Sequence, residues 1–288
     1  MTKIAGIIHY AVQKFKLDIL IARYCSKFDF LIKFIPEHIE YKKGSIKRVT
    51  RDNINFALDI SDYMQWHIFA GIKEPLWDIS FDFIKFGTTV LDIGANVGSF
   101  AFKCAAHCQN NNIKAQIIAF EPNPIINQRL KYNKSINYDF KNLILIEDFA
   151  ISDMNGISGF EFNERNSGYG KLTSTGNGYQ VDCMTLDKYV ADKNIGAISL
   201  IKIDVEGFEP LVIKGGNNTI INNKPLLLVE ITDDWYKKLG FSEFELKKKL
   251  IDLGYQLFVY ENKKLKEISG INTIFAYQYN LLGIPYPL

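Results

Sequence analysis

The sequence predicts an α/β fold, a mostly parallel sheet with helices on both faces. Three observations predict it. From residue 88 onward, short buried apolar runs alternate with stretches of helical periodicity, the pattern of successive strand–helix units rather than of hairpins. The first of those runs leads straight into Gly94 and Gly98, and glycine permits a tight strand-to-helix turn. The second and fourth runs end in acidic residues, at the edge where open parallel sheets bind their ligands.

The chain of 288 residues is long enough for one large domain with an appended segment. Residues 1–60 are read as a helical and short-strand extension, and residues 61–288 as the α/β domain. In the extension Ile4, Ile7, Ile8, Ala11, Val12 and Phe15 recur at helical spacing. Ile19, Leu20, Leu31 and Ile32 continue the pattern, with Lys14, Lys16, Arg23, Lys27 and Lys33 between them. One or two amphipathic helices ending before Pro36 are expected. Residues 1–50 hold ten Lys/Arg and four Asp/Glu, in a chain whose net charge is only +2. The remainder is therefore acidic, and the sign reverses along the chain. The favoured reading is a helical cap packed on the main domain or on a second subunit. The sharper reading is a basic amphipathic surface in peripheral contact with a membrane.

No run of about 18 apolar residues is free of charge, so no spanning helix is expected. Lys14, Lys16 and Asp18 interrupt the first apolar stretch, and no small-residue cleavage site follows it, so no secretory leader is read. Four scattered cysteines do not form a disulfide framework. A cytoplasmic location is expected, at the membrane surface if the basic segment docks there.

Residues 39–60 read as short strands around a turn at Lys43-Gly44 and a polar break at Asp52-Asn53. Helices follow over Tyr63–Ala70 and Trp77–Phe86. The alternating part runs strand Val90–Ile93, helix Phe100–Cys108, strand Ile117–Phe120, helix Ile125–Ile136 and strand Leu143–Ile146. A polar excursion rich in Gly, Asn and Ser fills 152–180. Strand Leu200–Ile203, a helix or turn from Phe208 and strand Leu226–Val229 come next. Helix Glu243–Leu253, strand Tyr255–Val259 and a last strand near Thr273–Tyr277 complete the order. Ser242 with Glu245 reads as a capping box at the start of the Glu243 helix, and Gly254 as its end.

The first glycine turn reads Asp92-Ile93-Gly94-Ala95-Asn96-Val97-Gly98. A dinucleotide site reads G-x-G-x-x-G. The wider spacing here, with an acid two residues before Gly94, favours a ligand without a pyrophosphate. Asp92 is placed to organise the loop or to receive a ligand's ammonium group; without a ligand the same turn is only a strained corner. Glu121 ends the second strand, where a carboxylate accepts hydrogen bonds from two ribose hydroxyls. Pro122 and Pro124 stiffen the turn after it. Asp148, past the third strand, offers an adenine a polar acceptor, though a plain surface turn reads the same way. Asp204 and Glu206 alternate with apolar residues at the mouth of the sheet. Their alternative is an ion pair with Lys202 or Lys214. Glu230 directly follows the fifth strand and is expected to face the same cleft.

Asp92–Gly98, Glu121-Pro122-Asn123-Pro124, Leu186-Asp187 and Ile201–Glu209 resemble the FkbM family of S-adenosylmethionine-dependent methyltransferases. The resemblance runs from about Thr88 to Glu230 and more weakly back to Tyr63–Pro75. Lys202-Ile203-Asp204-Val205-Glu206-Gly207 is its most specific part; the glycine turn alone marks only the wider class I superfamily. The resemblance implies a Rossmann-like class I methyltransferase sheet and S-adenosylmethionine as cofactor. It implies O-methylation of a hydroxyl on a sugar, glycan or related small molecule. It also implies cofactor contacts at Asp92, Gly94, Asn96 and Gly98 around the methionine end, at Glu121 for the ribose and at Asp148 near the adenine. Asp204 and Glu206 would line the transfer site. The first 60 and last 50 residues match no motif of the family, and acceptor choice is expected to depend on them.

A sugar hydroxyl is a weak nucleophile, so a nearby base helps. Glu206 is read as that base, with Glu230 or Asp204 as alternatives. A divalent metal between Asp204 and Glu206 is a variant reading, but the sequence fixes no third ligand and no metal is assigned. The excursion Glu164–Gly170 either folds over the acceptor or is a plain surface hairpin. Cys104 and Cys108 fall on one helix face and read as core. His67, in a helix beside Trp66, either reaches the cleft or is structural, the second reading being favoured, and Lys247-Lys248-Lys249 reads as a solvated face. No RNA-binding aromatic motif or finger spacing occurs, so nucleic acid is not an expected partner. Two readings from other classes remain open. One is an NAD(P)-dependent oxidoreductase or sugar epimerase, which lacks its glycine motif and its Tyr-x-x-x-Lys pair here. The other is a non-catalytic S-adenosylmethionine-binding protein, whose acids would look the same. Oligomeric state is not legible.

Overall fold

The computed structural model describes residues 3–25, 27–163, 165–173, 179–268, 270–271 and 278–286. The strand expected near Thr273–Tyr277 and residue Glu164 of the excursion lie outside them.

Helices α1 (Lys3–Lys14) and α2 (Asp18–Cys25) open the chain, followed by a 3-10 segment over Asp29–Phe34. His9 is buried between the Glu40 carboxylate, at 2.7 Å, and the Lys33 carbonyl, at 3.1 Å, which fixes α1 to the chain that follows. Strands β1 (Ile46–Arg51) and β2 (Ile54–Asp59) form an antiparallel hairpin. Its corner is Asp52-Asn53, with φ of 50° and 64°, the paired positive values that two-residue hairpins favour. The chain therefore reverses at Asp52-Asn53, and Lys43-Gly44 only leads into the first strand. Arg51 is buried and donates to the carbonyls of Ala22, Ile68 and Phe69. Those bonds tie α2 and α3 (Tyr63–Ala70) to the hairpin. Helix α4 (Pro75–Phe81) starts with proline in its first turn, where no amide donor is needed. It stops at Phe81 rather than Phe86, which is exposed.

The alternating part follows as β3 (Thr88–Ile93), α5 (Ser99–Asn110), β4 (Ala115–Phe120), α6 (Pro124–Ser135) and β5 (Ile144–Glu147). The polar excursion is not a loop. It folds as β6 (Ala150–Ser152), β7 (Gly156–Asn163), β8 (Asn166–Thr173) and β9 (Tyr179–Thr185), a separate four-stranded sheet in the order β6-β9-β7-β8. Ala150, Phe160, Val181 and Cys183 give that sheet its own small core. The chain then returns through α7 (Leu186–Asp192), β10 (Ile198–Ile203), α8 (Glu209–Gly215), α9 (Asn217–Asn223) and β11 (Leu226–Ile231). Helices α10 (Asp233–Lys238) and α11 (Glu243–Asp252) and strands β12 (Tyr255–Glu261), β13 (Lys264–Glu267) and β14 (Tyr279–Pro285) close the described chain.

Among the described residues the main sheet has the order β13-β12-β14-β11-β10-β3-β4-β5. Strands β11, β10, β3, β4 and β5 are parallel, and β14 runs antiparallel between β11 and β12. This is the expected Rossmann-like sheet. Alternation along each strand loads its two faces: Val90, Ile117 and Ala119 enter one core, Leu91, Ile93, Ile118 and Phe120 the other. Phe56 of the hairpin meets Phe102 of α5 edge-on, with ring centres 5.8 Å apart, so the hairpin shares the first core. The chain lays β4 and β5 on one side of β3 and β10 on the other. The crevice beyond β3 and β10 is the switch point where such sheets bind ligands.

Two local expectations change. Lys247 is not solvated: it is fully buried on α11 and paired with Glu243, while Lys248 and Lys249 are exposed. The Ser242 cap forms only in part. Its hydroxyl accepts from the Glu245 amide at 3.2 Å, but the Glu245 carboxylate takes the Ser242 hydroxyl rather than a backbone amide.

Candidate active site

The site starts from strand register. Lys202 of β10 stands opposite Asp92 of β3, and paired residues on neighbouring strands share a face. The Lys202 ammonium lies 3.2 Å from Asp92 Oδ1 and 3.1 Å from Asp204 Oδ2, and it donates to the Gly94 carbonyl at 3.0 Å. Lysine and Asp92 are 4% and 0% exposed. Burial alone would discharge Lys202, but the Asp204 and Asp92 carboxylates outweigh it and hold its pKa above the ordinary lysine value. Burial pushes the Asp92 carboxyl up, against the pull of Lys202. Asp92 is thus fully buried against Lys202, and Lys202 is the residue that bonds to the glycine turn, at Gly94. Asp92 does not line the cavity, which corrects the contact expected at the methionine end. Of the two ion-pair partners considered for Asp204, Lys202 is the one present; Lys214 pairs with Asp153 at 2.7 Å.

The turn itself is packed from behind. A Cβ on Gly94, whose φ is +81°, would sit 1.8 Å from the Asp204 carbonyl oxygen. Glycine is needed there because the end of β10 crosses the turn, a reason the sequence did not disclose. Gly98 is covered by Leu130 and Phe102 and is not part of the cavity wall. Gly94 and Asn96 do line it. The Asn96 amide donates to Glu121 Oε2 at 2.8 Å, and the Asn123 amide to Oε1 at 2.9 Å. Glu121 is 7% exposed and lines the cavity. Burial raises its pKa to about 7 although both amides oppose the shift. Asp148 points away: its side chain is 70% exposed and lies 3.3 Å from Lys131. The wall at that strand end is Phe149 instead, stacked edge-on against Phe120.

Beyond β10 the chain turns through Val205-Glu206-Gly207, with Glu206 at φ +54°. Glu209 holds this turn. Its carboxylate accepts from the Val205 amide at 2.8 Å and the Gly207 amide at 3.0 Å. Glu209 is 1% exposed, and burial raises its pKa to about 7. Among the described residues no backbone amide donates to Glu206. Burial, then the charges of Asp204 and Glu209, push its pKa up to about 9. Burial and the same acidic neighbours raise Glu230 well above the ordinary glutamate value. Glu230 accepts from Gln278 at 2.8 Å with one oxygen. Carboxylate oxygens of Asp204, Glu206 and Glu230 lie within 4.8 Å of one another. Glu230 is therefore the third acid that the sequence left open for a cation, and the three are close enough to share one.

The β7–β8 hairpin covers this cluster. Ser167 donates its amide and its hydroxyl to the two oxygens of Asp62, and Asn96 donates to the Ser167 hydroxyl at 3.1 Å. The Tyr63 amide donates to the Arg165 carbonyl. Asp62 also caps α3 through the Gln65 amide. A Cβ on Gly168 would meet Glu206 Oε1 at 2.9 Å and Met64 Cγ at 3.0 Å. Of the two readings of the excursion, the one in which it folds over the cleft holds. Asp62 and Ser167 carried no sequence signal for this contact, because it joins residues 105 positions apart.

Met64, His67, Glu74, Trp77, Lys73 and Lys103 form another part of the wall. His67 reaches the cavity, with its ring tilted against that of Tyr63 at 4.2 Å between centres, and burial lowers its pKa. Lys103 lies 3.7 Å from Asp52 and over the Trp77 ring. Burial, then Asp204, raises the Glu74 carboxyl. Cys104 and Cys108 are fully buried in α5.

Three known proteins give the scale of similarity. The hexuronic acid methyltransferase AglP of Haloferax volcanii is 27% identical over 140 residues, which are 49% of this chain and 54% of AglP. The chain thus spans about half the length of the curated relative it matches. The crystal structure of Methyltransferase FkbM from Methylobacillus flagellatus KT superposes with a TM-score of 0.46 at 14% identity, over 75% of this chain and 52% of that one. A methyltransferase from Streptococcus mutans in complex with SAH superposes at 0.40 and 9% identity, over 74% of this chain and 98% of that one. The model of the methyltransferase FkbM domain matches residues 92–257, more than half of the chain and all of the strand ends described above, and the chain belongs to the FkbM methyltransferase family.

Proposed function

We propose that this protein transfers a methyl group from S-adenosylmethionine to a hydroxyl of a sugar, a glycan or a related small molecule. The observation that carries the proposal is one continuous cavity lined by the glycine turn and Glu121 and by Asp204, Glu206 and Glu230. Family membership and the hexuronic acid methyltransferase relative support it.

The residues fit the cofactor. Each Glu121 oxygen keeps a free lone pair beyond its amide contact, enough to take two ribose hydroxyls. The Gly94–Val97 backbone offers a close wall, and Phe149 an apolar face for a base. When bound, S-adenosylmethionine supplies the electrophilic methyl carbon and the thioether leaving group. Glu206 takes the proton of the acceptor hydroxyl, with Glu230 and Asp204 beside it. A positive charge bound among these acids favours their ionised forms, which readies Glu206 to act as a base near neutral pH. Ser167 and Gly168 close the cavity and exclude water. Lys73 and Lys103 suit an acceptor that carries a carboxylate, such as a uronic acid. Arg51, Asp52 and Phe56 also line the cavity, so residues 1–60 are read as an extension that helps select the acceptor. A second reading keeps the same acids as ligands of one divalent cation that orients the acceptor oxygens.

The test is a melting curve with S-adenosylmethionine, S-adenosylhomocysteine, NAD and NADP, followed by a transfer assay on uronic and neutral sugars with and without chelator. A ligand at 100 times its dissociation constant adds roughly 2.7 kcal/mol to the native state. A shift with the adenosyl-sulfur ligands alone is expected. A shift with a nicotinamide cofactor alone overturns the proposal in favour of an oxidoreductase or epimerase. Binding without turnover on any hydroxyl leaves a binding protein. Turnover lost to chelator and restored by Mg²⁺ selects the cation reading over the free base.

A further inference from the structure

The segment before the hairpin exposes apolar side chains at a density found nowhere else among the described residues. On α1 and the turn after it, Ile7, Tyr10, Phe15 and Leu17 are 41–69% exposed. Leu20, Tyr24, Phe28 and Phe30 follow at 50–61%. Single exposed apolar residues are ordinary on a protein surface, but a run of them over so short a stretch is not.

The packing explains which side they occupy. His9 and Val12 bury one side of α1; Ile7, Tyr10 and Lys14 lie on the other, three and four positions apart. Asp18, Ala22 and Cys25 bury one side of α2, and Leu20, Arg23 and Tyr24 face outward. Exposed Lys14, Lys16, Arg23, Lys27 and Lys33 are interleaved with these rings and chains. The Lys14 ammonium lies 5.6 Å from the centre of the Tyr10 ring, and the Phe28 and Phe30 rings are 6.1 Å apart. Asp18 does not offset the charge, because it is buried against Lys47 at 3.3 Å; Asp29 is exposed.

From this surface we infer that α1, α2 and the Phe28–Phe30 segment dock on an anionic lipid bilayer. Charge complementarity chooses the occupant. Aromatic and aliphatic side chains enter the headgroup boundary while lysines reach the lipid phosphates. A second copy of the chain would bring the same basic face against itself in a two-fold pair. No helix among the described residues is long and apolar enough to cross a membrane, so the segment lies on the surface. Arg51 binds the Ala22 carbonyl and also lines the cavity. Docking therefore holds the cavity at a set position relative to the bilayer.

The test uses the full chain, without cofactor, in flotation with vesicles of phosphatidylcholine alone and of phosphatidylcholine with phosphatidylglycerol. Binding to the mixed vesicles alone is expected, and it should fall with salt. Lys14→Ala and Lys27→Ala should each weaken partitioning about fivefold. Phe15→Ser with Phe28→Ser and Phe30→Ser should abolish it without moving the melting temperature, because those rings are exposed. Absence of binding to the mixed vesicles overturns the inference, as does undiminished binding of the triple variant. A dimer in light scattering that the triple variant dissolves, without vesicle binding, would assign the face to a second copy instead.

Discussion

Two turns at the carboxyl edge of the sheet are built alike and end differently. The turn after β3 carries Asn96 at φ +51°, and the turn after β10 carries Glu206 at φ +54°. Each is held by a buried glutamate: Glu121 accepts the Asn96 amide of the first turn beside the Asn123 amide of its own loop, and Glu209 accepts the Val205 and Gly207 amides of the second. In the first turn the residue at the corner is neutral and bonded to Ser167. In the second it is an acid facing Asp204 and Glu230. Carboxylates at strand ends thus divide into those that hold backbone and those that are left to meet a ligand. Glu121 belongs to both sets, because it also lines the cavity. Glu209 belongs only to the first.

The largest effect that tests this division is expected from Glu206→Gln. It should cut kcat by about 10²–10⁴-fold, the usual contribution of a positioned base. The thermal shift with S-adenosylhomocysteine should persist; retained turnover would remove Glu206 from the chemistry. Next, Glu121→Ala and Glu209→Ala should each lower stability by roughly 1–3 kcal/mol through unsatisfied buried amides. Only Glu121→Ala should also abolish the cofactor-induced shift in melting temperature. If both variants bound cofactor equally, the two turns would not differ in the way described.

A third outcome concerns pH. Burial pushes Glu121 and Glu209 up to about 7, and burial with the charges of Asp204 and Glu209 pushes Glu206 up to about 9, from an ordinary value of 4.5. Above that ordinary value the unfolded chain has released protons that the native chain still holds, so stability falls as pH rises. The contribution is whole below pH 4.5, is lost by about pH 7 for Glu121 and Glu209, and by about pH 9 for Glu206. The melting temperature of the cofactor-free chain should decline across that window, and Glu206→Gln should flatten its upper part. A curve that rises with pH would contradict the assignment. The smallest effect is expected from Lys103→Ala. It should raise KM for a uronic acceptor by less than about tenfold, as a charge already paired with the exposed Asp52 carboxylate allows, and leave KM for a neutral sugar unchanged.

Much of the main sheet was legible because it rests on local patterns. Val90–Ile93, Ile117–Phe120, Leu200–Ile203 and Leu226–Val229 all fall inside observed strands. Helices α7, α9 and α10 span only six or seven residues each, too few for periodicity to distinguish. The β6–β9 sheet escaped notice because Gly, Asn and Ser interrupt the apolar pattern of β7 and β8, and only pairing between strands makes it regular.

The sequence by itself determined the strand–helix alternation, the glycine turn and a row of acids at the carboxyl edge, since apolar period and turn chemistry act between near neighbours. Tertiary structure alone decided what each acid does. Asp92 is neutralised by Lys202 because parallel register sets them side by side. Asp148 is turned to solvent, while Glu230 joins Asp204 and Glu206. Asp62 latches a hairpin 105 residues away. Burial and the distance between charges set a carboxylate's role, and both arise only when segments far apart in the chain come together.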